Sequence, residues 1–140
     1  MTPSESRQIL VDQRKRRPTS PHLSIYRPSI NYFTSPFHRI TGALLSGAVY
    51  CFGAAYFVAP AFGWHLDSAT IAAAFGSLPV AAKVAAKFTM AFPFTFHAVN
   101  GVSHLIWDTG KGLANNKQII RRGWGVVAVS VISAGYLAML

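Results

Sequence analysis

The sequence predicts an all-α membrane protein, three transmembrane helices behind an extended basic N-terminal tail. Three observations carry that prediction. Only 12% of the 140 residues are charged and 51% are hydrophobic. A soluble domain of this size carries about twice that charged fraction, so much of this surface does not face water. The apolar residues gather in three blocks, near 36–63, 78–107 and 123–140, and a spanning helix needs about 20 such residues. Finally, the positive charge is not spread over the chain. Arg7, Arg14, Lys15, Arg16, Arg17 and Arg27 precede the first block, Lys111, Lys117, Arg121 and Arg122 lie between the second and third, and residues 64–77 hold no Lys or Arg. With three spans, both basic regions fall on one side. The positive-inside rule places that side, and the N-terminus, in the cytoplasm or its mitochondrial equivalent, the matrix. Topology thus accounts for the net charge of +9 without a nucleic-acid partner.

The tail, residues 1–34, is punctuated by Pro3, Pro18, Pro21 and Pro28 and reads as extended, with one short helix over 6–15. The first apolar run starts too late for a secretory signal peptide; the basic start fits equally a native N-terminus or the remainder of a processed transit peptide. The anchor domain, 35–140, begins with a helix whose Pro36 suits the first turn, where a missing N–H costs nothing, and which Pro60 and Gly63 close. Residues 64–77 read as a loop. Pro79 opens the second helix, Lys83 and Lys87 snorkel to the interface, and Pro93 predicts a kink one turn before His97. The third helix follows from Gly123. All three blocks are rich in Gly, Ala and Ser, as packed membrane helices are. Cys51, the single cysteine, excludes an internal disulfide and reads as a packing residue.

The run "HAVNGVSHLIWD", residues 97–108, places polar groups inside an apolar helix. His97, Gly101, His104 and Asp108 share one face, and Asn100 lies on an adjacent surface. His97 lies roughly 16 Å along the axis from Asp108, near mid-membrane if Asp108 marks the interface. A histidine there needs a partner. One reading is a hydrogen bond to a neighbouring helix; the other is ligation of a haem iron, with Gly101 letting a flat macrocycle approach. His97 and His104 lie about 10.5 Å apart on one helix and cannot be opposed ligands of one haem. His38, near the end of the first span, reads as too shallow to match His97, so a second ligand is expected from another subunit. In "SPFHRITG", residues 35–42, Ser35, Arg39, Gly42 and Ser46 share a face, and Gly42 and Ser46 form a small-xxx-small pair suited to a helix contact. Arg39 either snorkels or pairs with an acidic group such as a haem propionate. Asp108 reads as an interfacial carboxylate, pairing with Lys111 or capping a loop.

With "RPTSPHLSIY" (17–26) and "HAVNGVSHLIWDTGKGL" (97–113) added to "SPFHRITG", the chain resembles the large cytochrome b membrane-anchor subunit of succinate dehydrogenase, respiratory Complex II. The resemblance runs from Arg17 to Leu113. It implies one haem b shared with a small membrane-anchor subunit, with His97 as this chain's axial ligand. It implies that Ser35 and Arg39 border the ubiquinone site and that Arg39, His38 and His104 lie near the haem propionates. The flavin (FAD) and iron–sulfur clusters belong to partner flavoprotein and iron–sulfur subunits, and the location it implies is the mitochondrial inner membrane, with a bacterial inner membrane as the alternative. Two departures stand out. Pro36 replaces an aliphatic residue beside the serine, and Ser103 stands where relatives often carry arginine.

Two other classes compete. A non-catalytic scaffold would use its histidines only to pack helices. A small transporter with a histidine relay would need polar residues to continue along the second span, and residues 88–96 offer only Thr89 and Thr95. The same shortage predicts quinone reduction without proton pumping.

Overall fold

A computed structural model describes residues 2–18, 20–113 and 115–140. Those residues are almost entirely helical, with no strand among them. The elements run α1 (Pro3–Lys15), α2 (Ile30–Val58), a 3-10 turn (Ala59–Phe62), α3 (Ser68–Gly76), α4 (Val80–Asp108) and α5 (Asn116–Met139).

Helix ends follow their caps more closely than they follow hydropathy. α1 starts at Pro3, earlier than expected, because Thr2 and Glu5 form a reciprocal capping box: the Glu5 amide donates to Thr2 Oγ1 at 3.3 Å and the Thr2 amide to Glu5 Oε2 at 2.7 Å. α2 starts at Ile30, after an extended Ser29, so Pro36 is inside the helix rather than in its first turn. Its absent N–H leaves the Tyr32 carbonyl without its usual i+4 donor, and the helix still continues. At the far end the expected closure holds. The chain tightens into the 3-10 turn, and Gly63 takes a left-handed φ of 73° while its amide donates to the Pro60 carbonyl.

Residues 64–77 are not a plain loop. Asp67 caps α3, accepting from the Thr70 amide at 2.7 Å and the Thr70 hydroxyl at 2.8 Å. Those donors, the amide first, hold the Asp67 carboxyl below its ordinary range. Pro79 stands at the N-cap of α4 as expected, and Pro93 lies in its interior. α5 begins at Asn116 rather than Gly123, because the Asn115 side chain accepts from the Lys117 amide at 2.9 Å. Arg121 and Arg122 therefore sit on a helix and not in a loop.

α2 with its 3-10 extension (Ile30–Phe62) and α5 are long and apolar enough to cross a membrane. α4 equals α2 in length, 29 residues, but carries Lys83, Lys87, His97, Asn100 and His104 and does not reach the same hydropathy.

α4 packs most extensively on α5, and α2 lies across both. α5 turns Gly123, Val126, Ser130, Ala134 and Ala138 inward, one face at helical spacing. Ser130 and Ala134 are 0% exposed. Small side chains let the two backbones approach, the usual basis of helix association where lipid removes the hydrophobic drive. The seam satisfies its own polar groups: Thr95 Oγ1 donates to the Ser130 carbonyl at 3.0 Å, and Ser130 Oγ to the Val126 carbonyl at 2.6 Å. Phe37 of α2 packs edge-on to Phe96 of α4, centroids 4.8 Å apart. Large apolar side chains instead point outward, Phe57 at 85% exposure being the extreme, an arrangement suited to lipid or partner helices rather than water.

Candidate functional site

The early start of α2 makes His38 its ninth residue, over two turns inside the helix. There it meets the polar face of α4. The rings of His38 and His97 stack with centroids 4.1 Å apart and planes 5° apart, and His38 and His104 stack at 4.9 Å and 20°. His38 is thus sandwiched between the two α4 histidines, and Trp107 closes the row edge-on to His104 at 5.2 Å. This corrects the expectation that His38 is too shallow to match His97. That depth was measured from a helix start six residues too late.

The stack also bears on whether His38 and His97 face one metal ion between them. Opposed axial imidazoles aim their nitrogens at each other through the metal. His38 and His97 instead lie face to face, so they are not opposed ligands of one iron. Among the described residues no group of three or more His, Cys, Asp or Glu side chains converges to hold a metal ion.

His97 Nδ1 lies 3.0 Å from the His38 carbonyl oxygen and 3.4 Å from Thr41 Oγ1. A carbonyl only accepts, so Nδ1 carries the proton and Nε2 keeps its lone pair. The Thr41 hydroxyl turns back on its own helix, 2.9 Å from the Phe37 carbonyl and 3.0 Å from that of His38. A metal-ligating histidine characteristically donates its other ring N–H to a carbonyl or carboxylate, and His97 has that arrangement already built. Nearby, His38 Nδ1, Asn100 Nδ2 and Trp107 Nε1 are buried without a hydrogen-bond partner among the described residues. The residues present therefore fit a haem: a histidine with a fixed tautomer and a free Nε2, among buried donors and acceptors still to be paired.

The two glycines of the region differ. A Cβ at Gly101 would lie 3.7 Å from His38 Cε1, an ordinary contact. A Cβ at Gly42 would meet His97 Cε1 at 2.7 Å. Gly42 thus makes the helix contact expected of it, whereas its small-xxx-small companion Ser46 is exposed and donates to the Gly42 carbonyl.

A family model described as succinate dehydrogenase/fumarate reductase transmembrane subunit matches residues 13–137. The chain belongs to that family. It is 46% identical over 140 residues to the mitochondrial succinate dehydrogenase cytochrome B subunit of Schizosaccharomyces pombe, all of this chain and 77% of the relative. It is 40% identical over 124 residues to the mitochondrial succinate dehydrogenase cytochrome b560 subunit of Mus musculus, 89% of this chain and 71% of the relative. A bacterial relative, the succinate dehydrogenase cytochrome b556 subunit of Rickettsia bellii, is 38% identical over 117 residues, 84% of this chain and 86% of its own. The family is one of membrane subunits within an enzyme complex.

In this transmembrane subunit Ser35 is half-buried and Arg39 exposed, on the α2 face that also holds Gly42. Neither has a side-chain partner among the described residues. Asp108 ends α4 and is exposed. The single ion pair among the described residues joins Lys15 and Asp12 in α1, so the expected Asp108–Lys111 pair is not formed. Sequence reasoning missed Thr41 and gave Gly42 only a general helix-contact role; they lie three and four positions after His38. Their spacing places them on the His38 side of α2, but only the crossing of α2 over α4 shows that they touch His97.

Proposed function

We propose that the chain is the large membrane anchor of a succinate:ubiquinone oxidoreductase, with His97 as one axial ligand of a haem b whose other ligand comes from a small anchor subunit. The observation that carries this reading is the bond from His97 Nδ1 to the His38 carbonyl, which leaves Nε2 free to ligate. A bound haem supplies a one-electron redox centre. His38, His104 and Gly101 form its surroundings on this chain, and Asp108 marks the interface. Ser35 and Arg39 border the ubiquinone site: the serine hydroxyl donates to a quinone carbonyl, and the guanidinium stabilises negative charge developing on its oxygen. Succinate is oxidised at FAD on a flavoprotein partner, and the iron–sulfur partner delivers electrons to the quinone.

Three membrane spans accompany this function. At 29 residues α4 is about 43 Å long, enough to cross, and α2 and α5 cover part of it. Charge distribution and the mitochondrial names of two relatives favour the mitochondrial inner membrane with the N-terminus in the matrix; the Rickettsia relative keeps a bacterial inner membrane as the alternative. The competing reading, a scaffold whose histidines only pack helices, draws on the ring stack, which is complete without a cofactor. Visible spectra of the purified complex separate the two. A b-type spectrum lost in His97→Ala, with flavoprotein and iron–sulfur subunits still co-purifying, is expected. A spectrum that survives His97→Ala refutes the ligand assignment.

A further inference from the structure

The three nearest atoms to a Cβ built on Gly42 all belong to one ring: His97 Cε1 at 2.7 Å, Nδ1 at 3.3 Å and Nε2 at 3.5 Å. Outside the adjoining turns of α2 itself, no other atom is as close. Gly42 is therefore not a general helix-contact glycine. It is fitted to this imidazole, and the His38 carbonyl one turn earlier on the same helix receives the ring's proton at 3.0 Å. The parallel His38 ring, 4.1 Å away, blocks retreat along the ring normal on that side.

We propose that Gly42 and the His38 carbonyl form a cradle on α2 that fixes the plane and the tautomer of His97, making Gly42 a positioning residue for the Nε2 ligand nitrogen. The inference rests on the haem-ligand reading of His97. A methyl at position 42 forces the ring to turn, because a contact of 2.7 Å to carbon lies well inside van der Waals separation. Turning the ring strains the Nδ1–H bond to the carbonyl, and that bond sets ligand orientation and basicity. Thr41 tunes the same carbonyl, since its hydroxyl lies 3.0 Å from it.

The test uses the intact purified complex with Gly42→Ala, Thr41→Val and His97→Ala. Gly47→Ala on the same helix is the control, because a Cβ there meets nothing within 4 Å. Gly42→Ala is expected to lower the haem-to-flavin ratio several-fold and to shift the low-spin EPR signal of what remains, with both unchanged in Gly47→Ala. Thr41→Val removes one competing donor from the carbonyl that receives the His97 proton and is expected to lower the haem midpoint potential. A Gly42→Ala complex with wild-type haem content and an unshifted EPR signal overturns the cradle. If that variant does not assemble, Thr41→Val decides, and an unmoved potential overturns it. Haem retained in His97→Ala marks failure of the ligand reading itself, a result distinct from haem lost in His97→Ala but indifferent to Gly42 and Thr41.

Discussion

α4 has two seams, and they are built in opposite ways. Against α5 it meets Ser130, Ala134 and Ala138, each almost or wholly inaccessible, and the polar atoms there are paired within the seam. Against α2 it presents His97 and His104, whose rings sandwich that of His38. The buried groups His38 Nδ1, Asn100 Nδ2 and Trp107 Nε1, all on α2 and α4, find no hydrogen-bond partner among the described residues. An unpaired polar group away from water costs about 1–3 kcal/mol. The α4–α5 contact pairs its polar groups within itself, whereas the α2–α4 contact keeps unpaired ones beside its stacked rings.

Enlarging a side chain in the closed seam has the largest expected effect on stability. Ala134→Leu drives a bulky group into a position that is now 0% exposed, and overpacking costs about 1–3 kcal/mol. The thermal midpoint of the detergent-solubilised complex and its yield should fall sharply. In the fraction that assembles, the haem-to-flavin ratio should stay near wild type, because the ring stack is not touched. An unchanged melting point would show that α4 and α5 are not held by this contact. A milder change removes one bond: Thr95→Val deletes the hydroxyl that reaches the Ser130 carbonyl. Interhelical hydrogen bonds in membranes contribute about 0.6 kcal/mol on average. A small drop in melting point with no spectral change is expected; a haem shift without a stability change would mean that the seams are coupled.

The closed seam was more legible in the sequence than the open one. Gly, Ala and Ser enrichment of the apolar blocks announced close helix packing, and Pro60, Gly63 and Pro79 marked helix ends that the structure reproduces. The shared face of His97, Gly101, His104 and Asp108 follows from helical periodicity within one segment. What failed were the starts of α1, α2 and α5 and the short helix α3 inside the expected loop. Hydropathy reports where the chain leaves water, not where a helix begins: α5 starts at the Asn115 cap and α2 after an extended Ser29 that makes no side-chain cap bond, both well outside the apolar blocks. The six-residue error in α2 displaced His38 and hid its stack with His97. The role of Gly42 was out of reach for a different reason. It depends on the register between two helices, which no single-helix pattern contains.

The smallest expected effect lies in neither seam. Asp67 caps α3, and the Thr70 amide and hydroxyl that donate to its carboxylate hold its pKa below the ordinary range. The folded state therefore favours the ionised form. Its contribution is complete above the ordinary carboxylate pKa and disappears as pH falls through the lowered value in the folded state. At neutral pH the cap is fully formed. Asp67→Ala should speed amide exchange at Thr70 and through the first turn of α3, local opening being what exchange reports for a short exposed helix. Asp67→Asn keeps an acceptor oxygen for the cap and should show wild-type exchange at neutral pH without the loss on acidification. Neither variant should move the melting point of the complex or its haem spectrum, because α3 has no extensive packing against α4 or α5. If Thr70 exchange is unchanged in Asp67→Ala, the cap does not hold α3. If the haem spectrum moves instead, the loop is coupled to the histidine stack, and the open seam extends further toward the far side than its rings indicate.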